Sequence, residues 1–67
     1  MQILVQYQDR ISGYDVSTVM TNVEFRMLAV TAGAVSHEEA DAMLMPAIVE
    51  AYNYHHKFNH VVASICK

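Results

Sequence analysis

Residues 2–8 read Gln-Ile-Leu-Val-Gln-Tyr-Gln and carry apolar side chains at every second position. In an extended chain this spacing places Ile3, Val5 and Tyr7 on one face and the three glutamines on the other. An apolar face opposite a polar one is the pattern of a strand that is buried on one side only. The stretch therefore predicts a half-buried β-strand with a core against one face.

A second extended segment follows this strand after a turn. Residues 9–13 include Asp, Ser and Gly, which favour turns because they tolerate or stabilise the required backbone angles. Beyond the turn, a spacing of two places four side chains on one face, namely Tyr14, Val16, Thr18 and Met20. The two segments together predict a β-hairpin.

Residues 16–32 fit two interpretations. With a period of two, the side chains that share a face are Val23, Phe25, Met27 and Ala29. With a period of 3.6, a narrow helical stripe forms from Val16, Val19, Met20, Val23, Met27 and Val30, and it leaves Phe25 on the polar side. Because Val and Thr are frequent here and favour strands, we predict a third strand and keep the helix as the alternative.

An amphipathic helix is predicted from residue 40 onward. Its apolar positions recur at alternating steps of four and three, at Ala40, Leu44, Ala47, Ala51, Tyr54 and Phe58. Ser36 and Glu39 have the spacing of a capping box, which marks the start of the helix. Pro46 lies inside the pattern, so the helix is expected to kink there or to be two short helices that meet there.

Residues 61–67 either continue the helix or return as a strand. Val61, Val62 and Ile65 are β-branched, and Asn59 is a candidate left-handed cap for the helix, so we predict a final strand. The expected fold is α+β: one domain, residues 1–67, with an antiparallel sheet of three or four strands and one long or Pro-kinked helix packed on it.

Composition predicts self-association. Hydrophobic residues make up 54% of the 67 residues and charged residues only 16%. A domain of this size has too small an interior to bury all of this apolar surface. The single cysteine, Cys66, excludes an internal disulfide framework and suits a reducing cytoplasm. We therefore expect a cytoplasmic homodimer whose excess apolar surface lies at the contact.

Nucleic acids and membranes are not expected partners. The net charge is −3, and the four cations, Arg10, Arg26, Lys57 and Lys67, are scattered rather than clustered for phosphate contacts. The longest uninterrupted apolar run, residues 42–49, contains a proline and is far shorter than the about 20 residues of a transmembrane helix. The N-terminal residues also lack the basic region of a signal peptide.

The sequence contains no catalytic motif. Ser36, Glu38 and Glu39 are explained by capping and by the helix dipole, and His37 has no assigned role. Cys66 lacks an evident activating arrangement, and there is no phosphate-binding glycine loop or nucleophile elbow. We therefore expect a protein that is not an enzyme and that uses no cofactor.

Two residue groups near the end of the predicted helix are candidate binding residues. His56 and His60 are four apart, the spacing at which two imidazoles on one helical turn share a metal ion, although zinc requires further ligands. The other group is apolar and aromatic and suits a dimer or partner interface, where tyrosine is enriched. Its members are Ile48, Ala51, Tyr52, Tyr54, His55 and Phe58.

Two stretches resemble the order seen in HicB-type antitoxins, in which a hairpin ending in Gly-Tyr-x-Val precedes a Thr-x-Gly segment and a Glu-Glu-Ala helix. The matching positions are Gly13, Tyr14, Val16, Thr31, Gly33, Glu38, Glu39 and Ala40. The resemblance implies a strand-strand-helix order and an antitoxin that neutralises a partner. The chain departs from that family because it lacks the Pro-Asp-Leu-Pro-Gly segment between the two halves and a separate basic segment for DNA.

The function expected from the sequence is that of a small protein-binding module, a homodimeric regulator or inhibitor that occupies the surface of another protein. Chains of this size without catalytic motifs are common among accessory proteins of phages and other mobile elements, including antagonists of host defence. The alternatives are a metal- or small-ligand-binding protein that uses the late histidines and a HicB-like antitoxin component.

Overall fold

The structure is a computed structural model that describes residues 1–66. Its elements, in chain order, are β1 Gln2–Gln8, β2 Asp15–Thr21, α1 Asn22–Thr31, α2 His37–Ala42, α3 Met45–His55 and β3 Val61–Cys66. The strands form one antiparallel sheet in the order β2-β1-β3. The α+β class is confirmed, with three strands in the sheet.

The first strand of the sequence is the centre of the sheet. Ile3 and Val5 are buried beneath the helices, as the alternation of residues 2–8 predicts. Tyr7 continues the same face but is partly exposed, because it lies at the end of the strand near the hairpin turn. In β2, Met20 pairs with Ile3, and in β3, Ala63 pairs with Val5, so both outer strands extend the buried face.

α1 and α3 pack on that one face of the sheet, and α2 packs against α1. Phe25 of α1 and Tyr52 of α3 meet edge to face with their ring centroids 5.0 Å apart. Phe25, Ile3 and Ile48 are the largest fully buried side chains. The smallest extent of the molecule is 15 Å, which fits one sheet and one helical layer. The core is therefore the space between these two layers.

The predicted third strand is wrong, because residues 22–31 form α1. Thr21 ends β2 and starts this helix: its hydroxyl accepts from the Glu24 N–H, and the Glu24 carboxylate accepts from the Thr21 N–H. Phe25 and Ala29, one helical turn apart, are the buried residues of α1. The alternative helix is right only in part, because three members of its stripe, Val16, Val19 and Met20, lie in β2. Two others, Val23 and Met27, are exposed.

A single long helix is not formed. The chain leaves α2 at Met43, which is extended, and α3 begins after Leu44 with Pro46 in its first turn, where no intrahelical partner is lost. The sequence therefore has two short helices near Pro46, the second of the two outcomes expected from that proline.

The predicted capping box is confirmed at the start of α2. Glu39 N–H donates to the Ser36 hydroxyl at 3.1 Å, and Ser36 N–H donates to the Glu39 carboxylate at 3.0 Å. The other end of α2 is held by Arg26, whose guanidinium donates to the carbonyl oxygens of Ala40 and Met43. Arg26 thus ties α1 to the place where the chain leaves α2.

The predicted final strand is confirmed as β3, and residue 67 lies outside the described part of the chain. The helix before it ends earlier than the periodicity suggests, at His55, and residues 56–60 form the turn into β3. The left-handed backbone in this turn is at His60, with φ 56°, and not at Asn59. Within residues 1–66, no helix has the length and apolar content that crossing a membrane requires.

Candidate functional site

One whole face of the sheet has no helix over it. Side chains that alternate away from the core make up this open face, and most are exposed. They are Gln2, Leu4, Gln6 and Gln8 from β1, Asp15, Ser17, Val19 and Thr21 from β2, and Val62, Ser64 and Cys66 from β3. Only Asp15, at one end, is charged.

The composition of the open face suits contact with another protein. Leu4 lies at its centre between Val19 and Ser64, and both Val19 and Val62 expose more than half of their surface. Covering such a face removes water from apolar and uncharged polar groups, which costs far less than burying unpaired charges. Depletion of charge is also what distinguishes the centres of protein interfaces from the remaining surface.

The surface area indicates that a face is left uncovered. The chain exposes 4852 Å², whereas a compact folded monomer of 7.5 kDa is expected to expose about 4,200 Å². The difference, about 600 Å², is close to the about 800 Å² that each partner buries in a standard protein interface. A two-layer fold with one bare sheet face accounts for the excess.

The middle of the outer edge of β3 is covered by a side chain from α3. The Ala63 N–H donates to Asn53 Oδ1 at 2.7 Å, and Asn53 Nδ2 donates to the Ala63 carbonyl at 2.9 Å. The amide of Asn53 therefore binds Ala63 as a neighbouring strand would, with one donor and one acceptor. An incoming strand would have to displace Asn53 to pair along this edge.

The outer edge of β2 has no such cover. Asp9 N–H donates to the Tyr14 carbonyl, so the hydrogen-bonded pairs between β1 and β2 involve residues 16, 18 and 20 of β2. The backbone N–H and C=O groups of Asp15, Ser17 and Val19 consequently point outward. Within residues 1–66 they have no hydrogen-bond partner.

The free edge of β2 ends at Thr21. Its N–H also points outward by this alternation, but it donates to the Glu24 carboxylate at 3.1 Å. Thr21 is also the N-cap of α1, so its carbonyl belongs to the first turn of that helix. The capping box thus limits the free part of the edge to three outward positions.

Part of the predicted aromatic interface lies in the core. Ile48 is 0% exposed and Tyr52 4% exposed, so neither is available to a partner. Ala51 is half-buried on the same helix. Burial also raises the pKa of the Tyr52 hydroxyl. These residues match the apolar stripe of α3 because that stripe packs against the sheet and α1.

The exposed part of the predicted interface lies at the end of α3. Tyr54 is 71% exposed and Phe58 83% exposed, and His55 is also on the surface. The Lys57 ammonium lies 4.4 Å from the centroid of the Tyr54 ring and 5.1 Å from that of Phe58. The group is a small aromatic patch with a cation over it, and it is separate from the open face.

The late histidines do not share a helical turn. His56 is the C-cap of α3 and His60 lies four residues on in the turn, so the helical spacing that suggested a shared metal ion is absent. In the part of the chain that the structure describes, no three His, Cys, Asp or Glu residues are grouped to hold a metal.

His56 instead packs under the turn into β3. Its ring centroid lies 4.6 Å from that of Tyr52 and 4.9 Å from that of His55, and its Nδ1 is 3.3 Å from the Asn59 amide. Its Nε2 is buried without a hydrogen-bond partner among residues 1–66. Burial, with His55 nearby, lowers the pKa of His56. The residue borders an open cleft of about 470 Å³ between this turn and the hairpin turn.

Two features of the site have signals in the sequence that hydrophobic periodicity does not capture. Thr21 and Glu24 have the same spacing as Ser36 and Glu39, and this capping box would have located the end of β2. Asn53 is a polar residue on the inner side of an apolar helix, which is a sign that its amide has a fixed partner. The partner itself depends on the tertiary fold.

No family model matches the chain, and no curated protein or solved structure matches it either. The HicB-like order of short motifs therefore remains a resemblance. The site rests on its own geometry: an open sheet face with one charged residue at its end, an edge of β3 held at Ala63 by Asn53, and a free edge of β2.

Proposed function

We propose that the protein is a small non-enzymatic binding module, a homodimeric regulator or inhibitor that acts by occupying the surface of another protein. The observation that carries the proposal is the open face of the sheet, which lacks a covering layer and bears one charged side chain, Asp15, at its end. A role as an accessory protein of a phage or other mobile element, such as an antagonist of host defence, fits a chain of this size without a catalytic motif.

The open face is favoured over the aromatic patch as the main contact surface. It spans three strands and offers apolar groups beside amide and hydroxyl groups that can form hydrogen bonds across an interface. The patch at the end of α3 is smaller, and Lys57 already occupies the faces of its two rings.

The proposal is tested by affinity capture from the native cell, identification of the captured protein, and measurement of its affinity for purified variants. Gln6→Glu places a charge at the centre of the open face without changing side-chain size. Burying that unpaired charge should raise the dissociation constant by about tenfold or more. Ala47→Glu, which adds the same charge on the outer side of the helical layer, should leave the affinity unchanged.

Two outcomes contradict this assignment. If Gln6→Glu binds as tightly as the unmodified protein and Tyr54→Ala does not bind, the contact surface is the aromatic patch. If purified protein turns over a substrate and mutation of the open face has no effect on that turnover, the protein is an enzyme and the binding-module proposal fails.

A further inference from the structure

We infer that the outer edge of β2 pairs with β2 of a second copy of this chain, antiparallel, with Ser17 on the two-fold axis. The inference specifies the contact surface of the proposed homodimer and rests on that proposal. It starts from the unpaired backbone groups of Asp15, Ser17 and Val19.

These three positions are self-complementary. In an antiparallel pair centred on Ser17, Ser17 faces Ser17 of the second copy. Asp15 of each copy faces Val19 of the other. Each facing pair can exchange two N–H···O bonds, so every free group on the edge finds a partner. A closed two-fold contact requires a surface that matches itself in this way. The Glu24 carboxylate accepts from the next outward N–H, at Thr21. Extending the pairing between the two copies to Thr21 would therefore break that contact.

The side chains of β2 are compatible with this register. Between the two copies, Val16 faces Thr18, and β-branched residues at facing positions pack well on a pleated surface. The one charged residue of the strand, Asp15, does not face its own copy. The strand has no Lys, Pro or bulge of the kind that keeps edge strands apart. An unprotected edge of this composition is a ready template for another strand.

The other edge cannot form the same contact. On β3 the middle outward residue, Ala63, is bound on both its N–H and its C=O by Asn53. The contact is therefore assigned to β2 alone, which gives a closed dimer rather than a chain of sheets.

The dimer would have a continuous six-stranded sheet in the order β3-β1-β2-β2-β1-β3. Its two open faces would lie side by side on the same surface, because both copies place their helices on the opposite side. The surface available to a partner protein is then twice as wide as in one chain. Dimerisation through β2 leaves the open face free, so self-association and partner binding can occur together.

Light scattering at micromolar concentration tests the inference with a matched pair of serines. Ser17 and Ser64 are both exposed on the open face, one on each outer strand. The unmodified protein should have twice the chain mass of 7.5 kDa. Ser17→Lys places two like charges opposite each other at the axis and should give the monomer mass. Ser64→Lys, far from the axis, should remain dimeric.

Two further variants guard against misfolding as the cause of dimer loss. Ser17→Pro removes an N–H that β1 does not use, so a circular dichroism spectrum like that of the unmodified protein with a monomer mass supports the inference. Ser17→Cys in a Cys66→Ser background should cross-link under mild oxidation, since facing Cα atoms in such a pair are about 5.5 Å apart, within disulfide range. Ser64→Cys in the same background should not cross-link.

The failures of the two proposals are distinguishable. A mass of 7.5 kDa for the unmodified protein would overturn the homodimer and this inference together. A dimer that survives both Ser17→Lys and Ser17→Pro would overturn only the β2 contact. In either case, partner binding through the open face is judged separately by the Gln6→Glu variant.

Discussion

The two outer strands of the sheet, β2 and β3, differ in what their outer edges meet. On β3, the Asn53 amide holds both backbone groups of Ala63. On β2, the outward backbone groups of Asp15, Ser17 and Val19 have no hydrogen-bond partner among residues 1–66. An edge strand that carries no protection is prone to pairing, and this difference is why the proposed dimer contact is placed on β2 and not on β3.

The difference follows from where the helices attach to the sheet. α3 packs over β3, and its inner side chains can reach that edge. α1 continues directly from β2, so its first turn covers only the end of the strand, through Thr21 and Glu24. On its outer side, the middle of β2 therefore has no neighbouring element among residues 1–66.

The largest loss of stability is expected when the side chain that covers the edge of β3 is removed. Asn53→Ala leaves the half-buried N–H and C=O of Ala63 without partners, and we expect the free energy of unfolding to fall by about 2–3 kcal/mol in urea titration. The matched control is Asn59→Ala, because Asn59 is exposed and, among residues 1–66, its side chain hydrogen-bonds only to the His56 ring. The role of Asn53 would be refuted by equal losses in the two variants. If the edge is opened without unfolding, light scattering should also detect species larger than a dimer.

A smaller effect is expected from the capping box that limits the free edge of β2. Thr21→Ala removes the hydroxyl that accepts from the Glu24 N–H, and the expected loss is about 1 kcal/mol. Ser36→Ala removes the equivalent bond at α2 and should cost about the same. Thermal unfolding of the two variants side by side checks both values. A variant that is as stable as the unmodified protein would show that its hydroxyl does not cap the helix.

The smallest expected effect is a pH dependence of the free energy of unfolding, caused by His56 beside the turn into β3. Because the folded chain lowers the pKa of His56, the unfolded chain binds more protons as the pH falls through the ordinary histidine range. The free energy of unfolding should therefore decrease modestly between about pH 7 and about pH 5. His56→Gln should flatten this slope, whereas His37→Gln, at an exposed helix start, should keep it. An unchanged slope in His56→Gln would show that another group causes it.

The sequence predicted those elements whose signals are local. The alternation of residues 2–8 located the central strand, and the Ser36–Glu39 spacing located the start of α2. Residues 22–31 were misassigned because their Val and Thr content favours a strand, while burial of Phe25 and Ala29 against the sheet stabilises a helix. That burial depends on the tertiary fold. Two buried positions one turn apart are too short a periodic pattern to outweigh the strand preference of the Val and Thr residues.

The candidate site was predictable only in part. The glutamines of β1 were placed on the face opposite the core, but their spacing does not reveal whether another layer covers them. Which strands are at the edges depends on strand order, and β3 lies far from β1 in sequence. The aromatic stripe of α3 was misleading for a related reason, since the same spacing describes a core and an interface. Ile48 and Tyr52 belong to the core.

Amide hydrogen exchange, followed residue by residue at several protein concentrations, tests the central claim most directly. The Ala63 amide should be protected at every concentration, because Asn53 holds it within one chain. Protection of the Ser17 and Val19 amides should increase as the dimer forms, because their only partners are in the second copy. Amides of Ser17 and Val19 that exchange as fast as those of an unstructured peptide, under conditions where the mass is that of a dimer, would contradict the account.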